Sequence, residues 1–295
     1  MTIGVVILNY KTWEATVSFV EALQKQSLAS QLSIVVVDNG SDNGSYEHLL
    51  ELKSYDNVAA VLQSGANLGY AKGNNVGLQW LDENVSPDYV VIANTDIVLS
   101  DTCIEQLVER FPTLERACII SPIQLLPDGR KVYGWNLGSW CNDIKNLSLL
   151  YRWLGKRCQS KEHSNQHVEQ ALNIPVEQIP GSFMFASFPR FKEIDFFYPD
   201  TFLYVEERFV AYATKEAGYQ NYILSDMSYL HEHSKTINTA FSQYQKYKMQ
   251  YDGWLKFTRL CRKYGALKAA IMRPLIGLSL AEIWCVYKLK SVVRG

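Results

Sequence analysis

The feature that most constrains this chain is an alternation of short apolar runs with helical patterns along about its first 120 residues. The runs TIGVVILN, LSIVVVD, VAAVL, DYVVIA and CIIS are typical of buried strands. Between the first two runs, apolar residues recur at helical spacing at Trp13, Val17, Val20 and Leu23. Strands that alternate with helices predict βαβ units, an α/β fold and a parallel sheet.

Polar residues stand just past the ends of the predicted strands: Asn9, Asp38, Asn67, Asn94 and Asp96. In open α/β sheets, ligands bind in a crevice at the carboxyl ends of the strands. Any one of these residues alone fits an ordinary turn, because Asn and Asp favour turns for local reasons. Their repetition after successive strands predicts that they converge on one crevice.

The bulk properties fit a soluble protein with one large domain, or one domain with an appendage. The chain has 295 residues, of which 47% are hydrophobic and 20% charged. Its six cysteines form no CxxC pair, so they indicate neither a zinc site nor a disulfide framework, and we expect a reducing, cytoplasmic setting. The opening MTIGVVILNY has no basic start or cleavage site typical of a signal peptide.

Charge is distributed unevenly along the chain. From Lys256 to the end, nine Lys and Arg stand against one acid, Glu282, which gives +8 and leaves −9 on the remainder of a chain with net charge −1. Between Arg273 and Lys288, the stretch PLIGLSLAEIWCVY falls short of the roughly 20 apolar residues that cross a bilayer. A basic helix with Leu, Ile and Trp suits an anionic membrane surface. A solvated helical face and a dimerisation helix remain alternatives.

Three groups of side chains could carry chemistry: a pair after the DYVVIA strand, two adjacent acids and two histidines. They are Asn94 with Asp96, Glu206 with Glu207, and His231 with His233. Transfer of a sugar from a nucleotide diphosphate needs a cation for the leaving group and a general base for the acceptor hydroxyl. Carboxylates hold magnesium or manganese for this purpose. Taken singly, adjacent acids are usually solvated, and histidines near a strand end are usually structural.

Seven segments, in order and spacing, resemble glycosyltransferase family 2, and especially its bacterial rhamnosyltransferase-like branch. They are VVILNYKTWEAT, VVVDNGSDNGS, NLGYAKGNNVGL, ANTDIVLS, IPGSFMFAS, FLYVEERFVAYATKEAGY and HEHSKT. The resemblance covers roughly residues 3 to 237. It implies the GT-A fold, a mixed, mostly parallel sheet flanked by helices. We expect this domain over 1–235, with a nucleotide-binding half over about 1–125 and an acceptor half over about 126–235, then a basic helical extension over 236–295.

The resemblance assigns nucleotide contacts to the first half. Asp38 resembles the residue that accepts a hydrogen bond from the pyrimidine ring, which favours uracil or thymine because each offers an N3–H donor. Lys72 resembles a residue that could meet a phosphate. The two nucleotide-contacting loops of the family correspond to Asn9, Tyr10, Asn67, Lys72 and Asn74.

The resemblance also implies a divalent cation, manganese or magnesium. Asp96 resembles the metal-binding carboxylate of the family's DxD motif, while Asn94 replaces the first acid of that motif. The ion is therefore expected on one protein carboxylate, the phosphates and a histidine. His231 resembles that histidine, and His233 is the runner-up.

The adjacent acids Glu206 and Glu207 stand where many relatives have Glu-Asp, and the second acid resembles the catalytic base. A glutamate adds one methylene to the reach of that base. The further acid that usually follows two positions on is replaced by Phe209, which weakens any assignment of acceptor contacts. Gly181 resembles a glycine that lets the backbone approach the donor or acceptor sugar.

The sequence therefore predicts an inverting, metal-assisted glycosyltransferase that acts by single displacement in cell-surface polysaccharide synthesis. Resemblance to the branch favours dTDP-rhamnose as donor and a glycan or lipid-linked glycan as acceptor, with UDP-sugars left open and no nucleic acid as a partner. We expect it in the cytoplasm, peripheral at the inner face of the membrane. A nucleotidyltransferase is the second enzyme hypothesis, although ILNYKTWEAT has no Gly-rich basic loop. A binding module without catalysis is the third, and the set Asp96, Glu207 and His231 argues against it.

Overall fold

The computed structural model describes residues 1–148, 171–232 and 241–294, with side chains as far as Val286 in the last helix. His233, the second candidate metal ligand, lies outside these residues. The described strands are β1 (Ile3–Asn9), β2 (Leu32–Asp38), β3 (Val58–Gln63), β4 (Tyr89–Ala93), β5 (Ile97–Val98), β6 (Ala117–Leu125), β7 (Lys131–Val132), β8 (Asn173–Val176), β9 (Phe183–Ser187) and β10 (Gln220–His231). The described α-helices are α1 (Trp13–Leu23), α2 (Ser45–Leu49), α3 (Gly69–Asn84), α4 (Cys103–Arg110), α5 (Trp140–Leu147), α6 (Phe188–Glu193), α7 (Glu206–Glu216), α8 (Gln243–Cys261) and α9 (Gly265–Arg294).

All ten described strands belong to one mixed sheet. Its main path runs β3-β2-β1-β4-β9-β6-β10-β5, with β7 paired to β6 and β8 paired to β10. The first four strands along this path are parallel to one another. Strand β9 is antiparallel to both of its neighbours, and β6 and β10 are parallel. The predicted α/β fold, with a mixed sheet, flanking helices and a C-terminal helical part, is confirmed.

Helices cover both faces of the parallel strands, which explains why these strands are apolar runs rather than alternating patterns. Successive side chains of a strand point to opposite faces. Accordingly, Val5 and Ile7 of β1 pack into one core cluster, together with α1 and α4, while Val6 packs into a second cluster together with α3. The two clusters hold the sheet between two layers of helices. The carboxyl ends of the strands are therefore not covered by helices and continue into loops.

The C-terminal helices α8 and α9 pack on each other, on α5 and on α7. Tyr251 of α8 lies in one cluster with Met272, Ile276 and Ile283 of α9. At the other side of α8, Phe257 joins a cluster that includes residues of and next to α7. The extension is therefore attached to the helix that carries the adjacent acids.

Helix α9 is longer than the apolar stretch recognised in the sequence. It begins at Gly265 and includes Pro274, and the most apolar 18-residue window within Gly265–Val286 has a mean hydropathy of 1.5. By length and composition alone these residues could cross a membrane, so counting only between Arg273 and Lys288 underestimated the helix. In the described protein, 28% of the most apolar window is buried against other residues.

Candidate active site

The carboxyl ends of β1, β2 and β4 open onto one cleft, as the strand-end pattern predicts. The loops after these strands line one wall, while the start of α3 and the segment preceding α7 line the other. The lining residues include Tyr10, Asn39, Asn67, Tyr70, Asn94, Asp96 and Phe202. Tyr10, Asn67, Asn94 and Asp96 were predicted as site residues, and the structure brings all four to this cleft.

Asn9 and Asp38 form a buried pair beneath the cleft surface. They are opposite each other in the parallel register of β1 and β2, and neither has exposed side-chain surface. The Asn9 Nδ2 group donates to Asp38 Oδ1 over 2.7 Å, and the backbone N–H of Ser41 donates to Asp38 Oδ2 over 3.0 Å. Neither residue is among those that line the cleft, so the structure places this predicted pair below the cleft surface rather than on it. Asn9 accepts in turn from the hydroxyl of Thr16 over 2.9 Å.

Asn39 organises the second predicted nucleotide loop, a role that sequence reasoning missed. Its buried side chain accepts from the backbone N–H of Leu68 over 3.0 Å and donates to the Asn67 Oδ1 atom over 3.2 Å. It also donates to the carbonyl of Gly69 over 3.2 Å. The available signal was its position directly after Asp38, at the end of a buried strand. Because the amide uses both its donor and its acceptor, it fixes this loop against β2.

The start of α3 lies close to the segment preceding α7. Gly69 has φ +81°, and a Cβ at this position would lie 2.5 Å from the carbonyl oxygen of Phe202, so only glycine fits. Two other residues predicted for this loop have ordinary environments. Asn74 is buried and donates to the carbonyl of Tyr70 over 2.9 Å, whereas Lys72 is exposed on α3 away from the described lining of the cleft.

Asp96 and His231 meet because β5 pairs with β10. Ile97, directly after Asp96, is opposite His231 in this antiparallel register. As a result, His231 Nε2 lies 3.2 Å from Asp96 Oδ2. The other ring nitrogen, Nδ1, lies 2.7 Å from the side-chain amide of Gln124 on β6. Both side chains of the pair are largely buried, with 13% of each exposed.

The pair fits the donor set expected for a divalent cation. Two protein ligands of one ion, each about 2.0–2.2 Å from it, lie roughly 3 Å apart when they occupy adjacent coordination positions. The separation of the Asp96 and His231 atoms is of that size. Among residues 1–148, 171–232 and 241–286, no group of three or more His, Cys, Asp and Glu side chains could hold a metal. The described residues thus place one carboxylate and one imidazole side by side here.

The strand β9 connects this pair to the adjacent acids. The backbone N–H of Asn94 donates to the carbonyl of Ser182 over 2.9 Å. Next to it, the carbonyl of Gly181 accepts from the Tyr70 hydroxyl over 2.6 Å. A Cβ on Gly181 would collide with the Glu207 carboxylate. The glycine predicted to admit a sugar therefore also gives the Glu207 carboxylate access to this backbone.

The two adjacent acids have different surroundings. Burial raises the pKa of Glu207, and hydrogen bonds from its own backbone and that of Gly181 partly offset this effect. Burial, and then the nearby Glu207 charge, raise the pKa of Tyr70, which itself lines the cleft. Glu207 thus has the environment of a proton acceptor beside a cleft.

Glu206 points into the protein. Only 2% of it is exposed, its Oε2 accepts from the backbone N–H of Val205 over 2.8 Å, and its Oε1 is buried without a hydrogen bond. Burial, and then the neighbouring Glu207 carboxylate, raise the pKa of Glu206. A group so enclosed has no direct path to a ligand in the cleft.

Comparisons with known proteins agree with this geometry. The profile of glycosyl transferase family 2 matches residues 4–173. The low-salt glycan biosynthesis hexosyltransferase Agl10 of Haloferax volcanii is 26% identical over 208 residues, which are 70% of this chain and 59% of that protein. An N-acetylglucosaminyl-diphospho-decaprenol L-rhamnosyltransferase of Mycobacterium tuberculosis is 31% identical over 121 residues, 36% of this chain and 37% of that protein. The chain thus spans less than two thirds of the length of these relatives.

Solved structures show the same fold. S. aureus TarS 1–349 in complex with UDP-GlcNAc superposes with a TM-score of 0.56 at 14% identity, over 91% of this chain and 69% of that one. Its complex with UDP gives a TM-score of 0.53 over 91% and 68%. These similarities confirm the GT-A fold. Since the family profile matches more than half of the sequence, the chain belongs to glycosyltransferase family 2.

Proposed function

We propose that this protein transfers a sugar from a nucleotide diphosphate to an acceptor hydroxyl with inversion at the anomeric carbon. One observation carries the proposal: Asp96 lines the same cleft as Tyr70, whose hydroxyl bonds to Gly181 beside Glu207. A residue suited to a cation thus lines the cleft, and one suited to accept a proton is linked to the cleft through Tyr70 and Gly181. We assign the nucleotide half to about 1–125 and the acceptor half to about 126–235.

In the nucleotide half, Asp38 would accept the N3–H of uracil or thymine, while Asn9 holds its carboxylate in place. Their 2.7 Å hydrogen bond and complete burial support a fixed orientation for Asp38. Tyr10 and Asn67 line the cleft, where they would contact the nucleotide. Lys72, which is exposed, would reach a phosphate only with an extended side chain.

Asp96 and His231 would hold manganese or magnesium through Oδ2 and Nε2, with phosphate oxygens as further ligands. When bound, such a cation offsets the negative charge that develops on a departing diphosphate. Asn94 would remain a backbone-anchored neighbour of Asp96, since its N–H is committed to Ser182. The two side chains of the pair are held by β5 and β10, so they are oriented before the ligand arrives.

Glu207 would remove the proton of the acceptor hydroxyl. Its raised pKa makes the carboxylate a stronger base than an exposed glutamate, which favours proton transfer from a weak acid. The hydroxyl oxygen then bonds to the anomeric carbon from the face opposite the diphosphate, and the bond from that carbon to the diphosphate oxygen breaks. Glu206, whose carboxylate is buried and bonded to the backbone of Val205, would take no direct part in the transfer.

For the donor we propose dTDP-rhamnose, with a UDP-sugar as the alternative. The Mycobacterium tuberculosis relative is named a rhamnosyltransferase acting on a diphospho-decaprenol, and the S. aureus TarS structure contains UDP-GlcNAc. These names support a role in synthesis of a cell-surface glycan on a glycan or lipid-linked acceptor.

Slow donor hydrolysis tests the proposal without a known acceptor. Purified protein is incubated with dTDP-rhamnose and a panel of UDP-sugars, with manganese or with a chelator, and the released nucleotide is quantified. We expect release from one donor class, dependent on the cation and lost in Glu207→Gln. The control Glu216→Gln alters an exposed acid on the same helix and should release nucleotide at the wild-type rate. Donor binding without release in any condition would favour the binding-module alternative.

We further propose that α9 attaches this cytoplasmic enzyme to the anionic inner face of the cell membrane. Leu267, Ile271 and Leu278 recur at helical spacing and are 64%, 46% and 64% exposed. Lys263 and Arg273 are exposed near them. Each basic residue near an anionic leaflet contributes about 1 kcal/mol. A homodimer through the same face is the alternative, and it would bring like charges together.

Because α8 and α9 pack on the acceptor half, removing them would disturb the fold, so surface substitutions are the better test. The triple variant Leu267→Gln, Ile271→Gln, Leu278→Gln should lose co-sedimentation with vesicles that contain anionic lipid. Leu50→Gln, at an exposed position elsewhere, should sediment like wild type. Equal sedimentation of all three proteins, together with a dimer that the triple variant abolishes, would favour the homodimer.

A further inference from the structure

We propose that Gln124 is a positioning residue that lets His231 change its imidazole tautomer when a divalent cation binds. The inference rests on the proposed function, in which His231 is a cation ligand. Gln124 is 7% exposed, and its side-chain amide is 2.7 Å from Nδ1 of His231. On the opposite side of the ring, Nε2 is 3.2 Å from the Asp96 carboxylate. The imidazole is therefore held between an amide and a carboxylate.

The sheet fixes this arrangement. Strands β6 and β10 are parallel, and Gln124 is opposite Tyr229, two residues before His231. On its other side, Gln124 is opposite Val132 of β7. A residue held between two paired strands has little freedom to move its backbone. The distance between the amide and the imidazole is thus set by strand register.

A neutral imidazole has one N–H and one nitrogen lone pair, and a cation needs the lone pair. The Gln124 amide nitrogen is the atom 2.7 Å from Nδ1, and it can only donate, so in this arrangement we infer that Nδ1 accepts and that an N–H on Nε2 donates to Asp96. Binding a cation through Nε2 requires the opposite tautomer. The Nε2 proton passes to solvent, and Nδ1 takes up a proton, so the ring stays neutral. Nδ1–H then needs an acceptor, as metal-bound histidines usually have.

An amide can serve both tautomers. Its NH₂ group donates to a bare Nδ1, and after a half-turn of the amide its carbonyl oxygen accepts from Nδ1–H. An ionised glutamate can only accept, so it would stabilise the cation-binding tautomer alone. A leucine can do neither. Gln124 is therefore suited to keep His231 oriented both before and after the cation binds.

The test measures Mn²⁺ binding directly, by the electron paramagnetic resonance signal of free Mn²⁺, at saturating UDP or dTDP. We expect Gln124→Leu to weaken Mn²⁺ binding by about 10- to 100-fold, the usual effect of losing a partner of a metal-bound histidine. Gln124→Glu should bind at least as tightly as wild type. A role in packing alone predicts the reverse order, because leucine suits a buried site and a buried carboxylate is costly. Glutamate binding more weakly than leucine would therefore overturn the inference.

Two controls separate this inference from the proposed cation site. His231→Ala alone should weaken Mn²⁺ binding, and if it does not, the proposed site itself is wrong. In the His231→Ala background, Gln124→Leu should add no further loss, since coupled residues are not additive. If His231→Ala weakens binding and Gln124→Leu behaves as wild type, only the tautomer inference fails. Gln124→Met, closer in volume, replaces Gln124→Leu if the latter does not fold.

Nitrogen-15 NMR of the His231 ring provides an independent readout. We expect the proton on Nε2 in the free protein and on Nδ1 when UDP and diamagnetic Mg²⁺ are bound. The same tautomer in both states would contradict the proposed change, whatever the affinities of the variants.

Discussion

Two regions around the cleft are assembled by different physical means. In the first, Asn9 and Asp38 end adjacent parallel strands and are direct neighbours in register. In the second, Asp96 and His231 are 135 positions apart and meet through an antiparallel pair at the far side of the sheet. Glu207 belongs to a third element, α7, and its carboxylate lies beside Gly181, just before β9.

This contrast matches the proposed division between residues that bind the nucleotide and residues that take part in sugar transfer. Parallel strands joined by helices repeat one geometry, so each strand end delivers polar groups to the same edge. The second region instead depends on pairing between segments that are far apart in the chain. We therefore expect substitutions in the first region to alter nucleotide affinity and substitutions in the second to alter turnover.

The largest effect is expected for Asp96→Ala, because Asp96 belongs to the pair that we propose as cation ligands. Transfer should fall by at least about 10³-fold, since the charge stabilisation from a cation is worth several kcal/mol. The manganese-dependent gain in nucleotide affinity should also disappear, measured by titration calorimetry with and without the ion. Asp101→Ala, at an exposed position a few residues later, serves as the control. Near-native turnover of the Asp96 variant at saturating manganese would contradict the metal assignment.

Glu207→Gln should affect turnover without affecting binding. The amide keeps the size of the side chain but cannot take a proton, so we expect a decrease of roughly 10²- to 10⁴-fold. Donor affinity, measured by the same calorimetry, should stay near the wild-type value. Glu206→Gln should be milder, because Glu206 points into the protein. If the ranking of the two variants is reversed, the base is Glu206.

In the nucleotide half, Asp38→Asn should weaken binding of UDP and dTDP by about 10- to 100-fold, the range for a hydrogen bond to a charged group. The new amide also carries an NH₂ group, which could not accept the hydrogen bond that Asn9 Nδ2 donates to Asp38. The rate of transfer at saturating donor should change little. Asp42→Asn, a nearby carboxylate with 74% exposure, provides the control. Unchanged affinity for both nucleotides would remove Asp38 from the site.

The smallest effect concerns stability rather than activity. The raised pKa of Glu206 means that the folded protein binds this proton more tightly than the unfolded chain. Stability from this group is therefore highest below the unfolded pKa of about 4.3 and falls as pH rises towards the folded pKa. Glu206→Gln should raise the free energy of unfolding by about 1–2 kcal/mol at pH 8. The gain should vanish near pH 4 in denaturant titrations, and a gain independent of pH would point to packing instead.

The sequence located cleft residues correctly where polar side chains directly follow predicted strands. Asn67 and Asp96 follow apolar strands, and both line the cleft. It missed Asn39, although that residue directly follows Asp38, because a second polar residue at a strand end looks like turn chemistry. Nothing in the sequence distinguished Tyr70, whose bond to Gly181 depends on how α3 packs against the far half.

The C-terminal helical extension, too, could be predicted only in part. Its basic charge was apparent in the sequence, and so was its helical character. The start of α9 at Gly265 was not, since Lys268 and Arg273 interrupt the apolar count while the helix continues through them. Which apolar side chains face outward was decided by packing of α9 on α8.

By itself, the sequence determined the α/β class, the parallel first half and the strand-end residues of the cleft, because buried parallel strands and helices impose local apolar patterns that can be counted. The family resemblance had already associated Asp96 with His231 and preferred Glu207 to Glu206, but only the tertiary structure showed the contacts: Asp96 beside His231, Gln124 on the far side of that ring, and Glu207 beside Gly181. These contacts depend on strand register and helix packing between segments far apart in the chain, and local residue patterns contain no information on such pairing.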